Sequence, residues 1–187
     1  MMKKPYIIAA LFVVLCCGAY DFTFSGVEAQ IVAEPRVSPR AELKQRVYLT
    51  DISINYHRPS VKGRTIFGEL EAYGEVWRAG ANENTTIEFT DDVEVNGNPV
   101  PQGKYGIHMI PGSNEWTIIL SKDNVKWGSY SYDQNNDLLR ITARPQTVPH
   151  VETLMYSVDS INETDAVISM SWAATKVSFN VEVPRKK

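Results

Sequence analysis

The stretch TTIEFTDDVEVNGNPVPQGKYGIHM, residues 85–109, decides the fold that this sequence predicts. Apolar side chains occupy every second position at its start and again at its end, which is the pattern of β-strands with one buried face. Between these runs, Val93 and Val95 lead into Asn96-Gly97, the dipeptide most typical of a tight β-hairpin turn. The stretch therefore predicts consecutive antiparallel strands.

The same alternation continues on both sides of this stretch. Ile52, Ile54 and Tyr56 alternate with polar residues before it, and a second hairpin is expected to end in residues 116–121. Because no segment keeps a helical period over three turns, the sequence predicts an all-β domain. We expect an antiparallel β-sandwich or a partly closed, jelly-roll-like barrel.

The C-terminal third predicts further strands with two interruptions. Pro145 and Pro149 bracket an expected linker. A strand over 166–172 is expected to reverse in a turn at 173–176 and to return over 177–183.

Composition places the chain among ordinary globular proteins. It has 187 residues, of which 43% are hydrophobic and 22% are charged, enough for one domain with its own core. The formal net charge of -3 is too mild to favour nucleic acid or an anionic membrane surface as a partner.

The N-terminus has the pattern of a secretory signal peptide. Two lysines precede an apolar run over 6–19 that is short for a membrane span, and Val27-Glu28-Ala29 fits a cleavage site. We therefore expect residues 1–29 to be removed and the mature protein to be extracytoplasmic, either periplasmic or secreted. An uncleaved anchor and lipidation at Cys16 or Cys17 are the alternatives, and these are the two routes by which we expect contact with a membrane.

The expected cleavage also removes both cysteines, which leaves no thiol for a disulfide, for catalysis or for metal binding. The remaining chain is divided into an extended lead-in over 30–45, a single β domain over 46–184 and a solvated tail over 185–187. We expect no cofactor and no metal.

One connection, residues 58–83, is too irregular to be a strand and is rich in residues that often carry recognition. It combines glycines, which allow close backbone approach, with arginine and tryptophan. We expect this connection to form a cleft with the polar, aromatic loop at 124–137. The candidate ligand-binding residues are Arg58, Arg64, Trp77, Arg78, Asn82, Glu83, Trp127 and Asp133.

Each candidate has a structural alternative. The three arginines are suited to hold an anion together through bidentate hydrogen bonds, but they are equally suited to pair with nearby Glu or Asp side chains. Trp77 is a candidate stacking surface for a sugar ring, although a buried position at a sheet corner is the commoner role for such a residue. Trp127 lies among small polar residues, where exposure is expected.

The order and spacing of several motifs resemble one known family. The motifs are Arg58-Pro59-Ser60-Val61-Lys62-Gly63-Arg64, then Tyr73-Gly74-Glu75-Val76-Trp77-Arg78-Ala79-Gly80-Ala81-Asn82-Glu83, Gly103-Lys104-Tyr105, Ile110-Pro111-Gly112, Glu115-Trp116-Thr117-Ile118-Ile119 and Lys126-Trp127-Gly128. Together they resemble the domain-of-unknown-function family 2911 over residues 38–183. The resemblance implies a secreted, mostly β domain of the type found in extracytoplasmic proteins of Bacteroidetes-type bacteria, and it implies no catalytic residues.

These observations favour a non-catalytic binding or interaction module, which would hold a small anionic or sugar-like ligand or a protein partner. The alternative is a hydrolase acting on a glycan or an ester, with Glu83 or Asp133 as the acid-base residue, its pKa raised in a closed pocket. A third interpretation is that the irregular connection only plugs one end of the sandwich. His57 and His108 lack the spacing of a metal site.

Overall fold

The computed structural model describes residues 35–185. The expected signal peptide, the start of the expected lead-in and the last two residues lie outside the described residues. Within them, no α-helix occurs and no helix is long and apolar enough to cross a membrane. The described strands are β1 Arg40–Val47, β2 Thr50–His57, β3 Thr85–Phe89, β4 Val93–Val95, β5 Asn98–Val100, β6 Gly103–Ile110, β7 Trp116–Ser121, β8 Asp137–Ala143, β9 Gln146–Ser160 and β10 Asp165–Glu182.

Two antiparallel sheets contain these strands. One has six strands in the order β1-β2-β3-β6-β7-β8, and the other has four in the order β5-β4-β10-β9. Their apolar faces pack together, so that alternate residues of β2 (Ile52, Ile54 and Tyr56) are buried while the residues between them face outward. The predicted antiparallel sandwich is confirmed.

The hairpin between β4 and β5 forms as predicted. Val93 pairs with Val100, and the turn residues Asn96 and Gly97 have φ values of 47° and 76°. Positive φ at both central positions is the geometry that matches the right-handed twist of the two strands, and asparagine followed by glycine adopts it with least strain.

The expected boundary between lead-in and domain, at 45–46, falls inside a strand, because β1 begins at Arg40 and pairs with the whole of β2. Ala41 and Leu43 pack against the core, whereas the charged residues between and after them face outward. A strand in which charged residues outnumber apolar ones gives a weak periodic signal, although its backbone hydrogen bonds form as in any edge strand.

Two further expectations in the C-terminal third are also wrong. The turn at 173–176 does not reverse the chain, since β10 continues through it with shifts in its pairing to β9 and with Ala173 at φ 53°. These are the features of a β-bulge, which bends a strand without ending it. The expected linker lies in β9, where Pro149 is tolerated because β9 is an edge strand.

Part of the irregular connection closes one end of the sandwich. Its Trp77 exchanges backbone hydrogen bonds of 2.8 Å with Met109 of β6, beyond the residue of β6 that pairs with the start of β3. Phe67 packs edge-on against Trp116 at 4.6 Å, and Trp77 stacks on Trp172 at 5.8 Å. The interpretation of the connection as a plug therefore applies to Phe67 and Trp77, whereas Tyr73 is 50% exposed.

Candidate functional site

The three candidate arginines do not converge on one site. The Nε of Arg58 donates to the Leu154 carbonyl at 2.9 Å, and Arg64 donates to the carbonyls of its own turn, Val61 and Ser60. Arg78 donates through Nη1 to the Asn82 carbonyl at 3.1 Å. Among residues 35–185, none of these arginines makes an ion pair, so the expected carboxylate pairings are wrong as well.

Trp77 and Asp133 have structural roles. The indole of Trp77 is 5% exposed and donates to the Gly80 carbonyl at 3.0 Å, so it is a core residue and not the exposed stacking surface that a sugar ring would need. Asp133 is exposed and accepts a hydrogen bond from the Asn135 backbone at 2.9 Å, which caps the short 3-10 helix Gln134–Asn136.

The remaining candidates, Asn82, Glu83 and Trp127, are brought together. The Asn82 amide donates to the Ser38 carbonyl at 3.2 Å, and its own carbonyl accepts from the Gly128 backbone at 3.1 Å. Asn82 thus holds the N-terminal segment 35–40 and the loop 122–133 on either side of the connection. Glu83 forms a backbone bridge with Trp127 directly beside it.

An open groove of about 730 Å³ lies between those two segments. Its floor is the outer face of the six-stranded sheet, where Asn55 of β2 and Thr86 of β3 are cross-strand neighbours and both point away from the core. The next neighbour along this row is Gly106 of β6. The cationic residues at its edges are Arg36, Arg40, Lys104 and Lys126.

Gly106 allows the loop to lie close to the sheet. A Cβ atom built at this position would be 2.6 Å from the Asp123 carbonyl oxygen, which is nearer than any side chain tolerates. Because Gly106 has no side chain, the loop 122–133 can approach the sheet closely at this position.

We expect Gly106→Ala to displace the loop and to lower the free energy of unfolding by about 1–3 kcal/mol, the usual effect of overpacking. Chemical denaturation measures the stability, and the fluorescence of Trp127 reports the loop. Unchanged stability together with an unchanged spectrum would contradict the close approach.

Glu83 is the carboxylate among the described groove-lining residues, and it is already paired. Arg36 donates from Nη1 to both carboxylate oxygens at 2.6 and 2.7 Å, and His57 Nε2 lies 3.3 Å from the second oxygen. The Arg36 guanidinium also lies over the Trp127 ring at 5.7 Å. The hydrogen bond from Arg36 lowers the pKa of Glu83, and burial lowers the pKa of His57, which keeps the imidazole neutral near pH 7.

This geometry does not give Glu83 or Asp133 the properties of an acid-base residue. A general acid needs a raised pKa, and that of Glu83 is lowered. Asp133 is exposed and does not line the groove. The described part of the chain also holds no group of three His, Cys, Asp or Glu side chains arranged to bind a metal ion.

A buried polar cluster lies under the loop. His108 Nδ1 is 3.1 Å from the Ser129 hydroxyl, and burial lowers the pKa of His108 despite the opposing charges of Asp137 and Asp123. Beside it, the Asn84 side-chain oxygen is buried with no hydrogen-bond partner among residues 35–185, although Asn84 also lines the groove. The polar floor is thus continuous with a layer of polar groups beneath the loop.

Sequence reasoning missed the groove cations because they belong to different elements. Arg36 and Arg40 lie in the expected lead-in, and Lys104 lies at the start of a predicted strand. The sequence did hold one signal for the groove floor. Alternation places Asn55, Thr86 and Lys104 on the polar, outward face of neighbouring strands.

One comparison with known proteins gives a match. A family model described as "Protein of unknown function (DUF2911)" matches residues 38–181. No curated protein and no solved structure matches the chain.

Proposed function

The chain belongs to the DUF2911 family, a family of unknown function, and we propose that it is a non-catalytic, extracytoplasmic binding module whose groove holds a small anion rich in hydroxyl groups. Acidic sugars and sugar phosphates are the class of ligand that fits this description. The observation that supports the proposal is that the groove is lined mainly by positive charges, although the whole chain has a negative net charge.

Four cationic side chains line the groove against one carboxylate, whereas the chain has a formal net charge of -3. Two of the four are ion-paired, Arg36 with Glu83 at 2.6 Å and Lys126 with Asp123 at 3.5 Å, which leaves Arg40 and Lys104. The Lys104 ammonium makes no ion pair with any described residue, so its charge is available to a ligand. Arg40 makes a neutral hydrogen bond of 2.7 Å to the Asn55 amide oxygen, which leaves its charge uncompensated by that contact. A concentration of positive charge on an acidic protein favours an anionic ligand.

The floor and the walls suit a polyhydroxyl molecule. Asn55, Thr86 and Asn124 offer amide and hydroxyl groups, which both donate and accept hydrogen bonds. Trp127 at the rim is 54% exposed and offers an indole to the apolar face of a sugar ring. The volume of about 730 Å³ lies within the range of small-molecule sites.

The proposal predicts a ranking of simple probes. Titration of the protein, followed by NMR, should show that glucuronate and glucose 6-phosphate bind more tightly than glucose, and that added salt weakens their binding because charge contributes. Inorganic phosphate separates recognition of the anion from recognition of the sugar. Binding of glucose equal to that of glucuronate, or no binding by either acidic probe, would overturn the proposal.

We expect Lys104→Ala to weaken glucuronate binding about fivefold to tenfold, the effect of losing roughly one kcal/mol. Lys122→Ala removes the same charge from an exposed position outside the groove and serves as the matched control. Equal effects of the two substitutions would show that the protein attracts anions without a site at the groove.

The extracytoplasmic location has its own test. Cell fractionation with N-terminal sequencing of the mature protein should recover a chain beginning near Gln30 outside the cytoplasm. A chain that retains residues 1–29 in the cytoplasmic fraction would contradict this part of the proposal.

A further inference from the structure

We infer that a second pocket, formed by the irregular connection and the loop residues that follow Trp127, binds a small zwitterion of the α-amino acid class. This pocket has a volume of about 320 Å³ and shares no lining residue with the groove. Its polar groups come from Glu71, Arg78 and Ser129, and its apolar walls from Leu70, Val76, Trp77 and Tyr130.

Glu71 and Arg78 face the same pocket without pairing to each other. No ion pair within 4.0 Å involves either side chain among residues 35–185, and the Glu71 carboxyl accepts no hydrogen bond there. Arg78 donates one N–H to the Asn82 carbonyl, and its other guanidinium N–H groups donate to no side chain or backbone group of those residues. The two charges are nevertheless close enough for Arg78 to oppose the rise in the pKa of Glu71 that burial causes.

Arg78 is held in place by the loop. A Cβ atom at Gly128 would lie 2.5 Å from its Nη1, so the glycine lets the guanidinium rest directly against the loop backbone. With Asn82 accepting from the same nitrogen, the guanidinium is positioned before any ligand arrives.

A ligand with separate positive and negative groups satisfies both side chains at once. An ammonium group would donate to the Glu71 carboxylate, and a carboxylate would accept from the free N–H groups of Arg78. A simple anion would leave Glu71 unpaired, and a neutral sugar would compensate neither charge. The leucine, valine and tyrosine walls suit a hydrocarbon side chain that branches from the carbon joining the two polar groups.

The charge state of Glu71 makes this binding depend on pH. The titratable and charged groups that face it are Arg64, Arg78 and the phenol of Tyr130. Burial raises the pKa of Glu71 to about 7. An ammonium ligand favours the ionised carboxylate, so binding near neutral pH should release protons and should weaken as the pH falls.

Three related probes separate the contributions of the two charges. L-leucine carries both charges, N-acetyl-L-leucine lacks the ammonium, and L-leucinamide lacks the carboxylate. By calorimetry at about pH 7, where the leucinamide amine is still mostly protonated, leucine should bind at least about tenfold more tightly than either analogue. Lowering the pH to about 5.5 should weaken leucine binding by about tenfold or more.

Glu71→Gln should abolish the tighter binding of leucine and its pH dependence, while keeping the shape of the side chain. Glu69→Gln makes the same change at an exposed neighbour and should alter neither. Three results would overturn the inference: equal affinity for the three probes, wild-type leucine affinity in Glu71→Gln, or no binding of any standard amino acid at about 10 mM. None of these results depends on whether the groove binds acidic sugars.

Discussion

A Trp77→Ala variant is expected to lose about 3–5 kcal/mol of unfolding free energy, the usual effect of removing a large aromatic side chain from a core. The indole is 5% exposed, stacks on Trp172 and contacts Phe67 edge-on at 5.8 Å. Its removal would leave a cavity among aromatic rings and would also leave the Gly80 carbonyl without its donor. Denaturant titration with comparison of the slopes measures the change.

Trp127→Ala is the matched control for this substitution, because the same atoms are removed from a side chain that is 54% exposed. We expect it to change stability by less than about 1 kcal/mol, since it loses mainly its contact with Arg36. Trp127→Ala should instead weaken the binding of acidic sugars, because the indole is proposed to contact the sugar ring. If both variants lost stability equally, Trp77 would not be the centre of the plug.

A Glu71→Gln variant is expected to be more stable than the wild type at about pH 8 and equally stable at about pH 4. Burial raises the pKa of the Glu71 carboxyl from 4.5 to about 7 in the folded protein. The folded state therefore holds the proton more tightly than the unfolded chain, and the stability that this provides is present below pH 4.5 and is lost as the pH rises to about 7. After allowance for partial solvent access, the gain at about pH 8 should be roughly 1–2 kcal/mol.

Thermal and denaturant unfolding of the wild type, Glu71→Gln and Glu69→Gln across about pH 4 to 8 would check this expectation. The Glu69→Gln curve should run parallel to that of the wild type, because Glu69 is exposed. Three parallel curves would mean that the Glu71 carboxyl ionises as freely in the folded state as in the unfolded chain, and the inferred amino acid site would then lose its pH dependence as well.

The fold could be predicted because alternation is a local property of the sequence. Ile52, Ile54 and Tyr56 reveal their buried face without reference to any partner, and Asn96-Gly97 identifies its own turn. The failures arise where tertiary contacts override a local signal. The bulge at Ala173 resembles a turn in sequence, yet pairing with β9 keeps the strand continuous through it.

The candidate site could be predicted only in part, because hydrogen-bond partners are not local. Arg58 is satisfied by the carbonyl of Leu154, which is 96 residues away, and no feature of the sequence around Arg58 indicates this. Glu83 of the connection and Trp127 of the loop form a backbone bridge, a contact that neither local sequence indicates. Their common partner Arg36 was missed because it lies in the expected lead-in, where the sequence carries no signal for a contact with either residue.

Arg36 lies close to the expected cleavage site, and it also lines the proposed binding groove. The segment 35–40, which forms one wall of the groove, begins five residues after the expected new N-terminus at Gln30. Five residues span at most about 18 Å when fully extended. Cleavage at the expected site would thus leave only five residues of chain ahead of this wall, so that the proposed processing would decide how much chain precedes the groove.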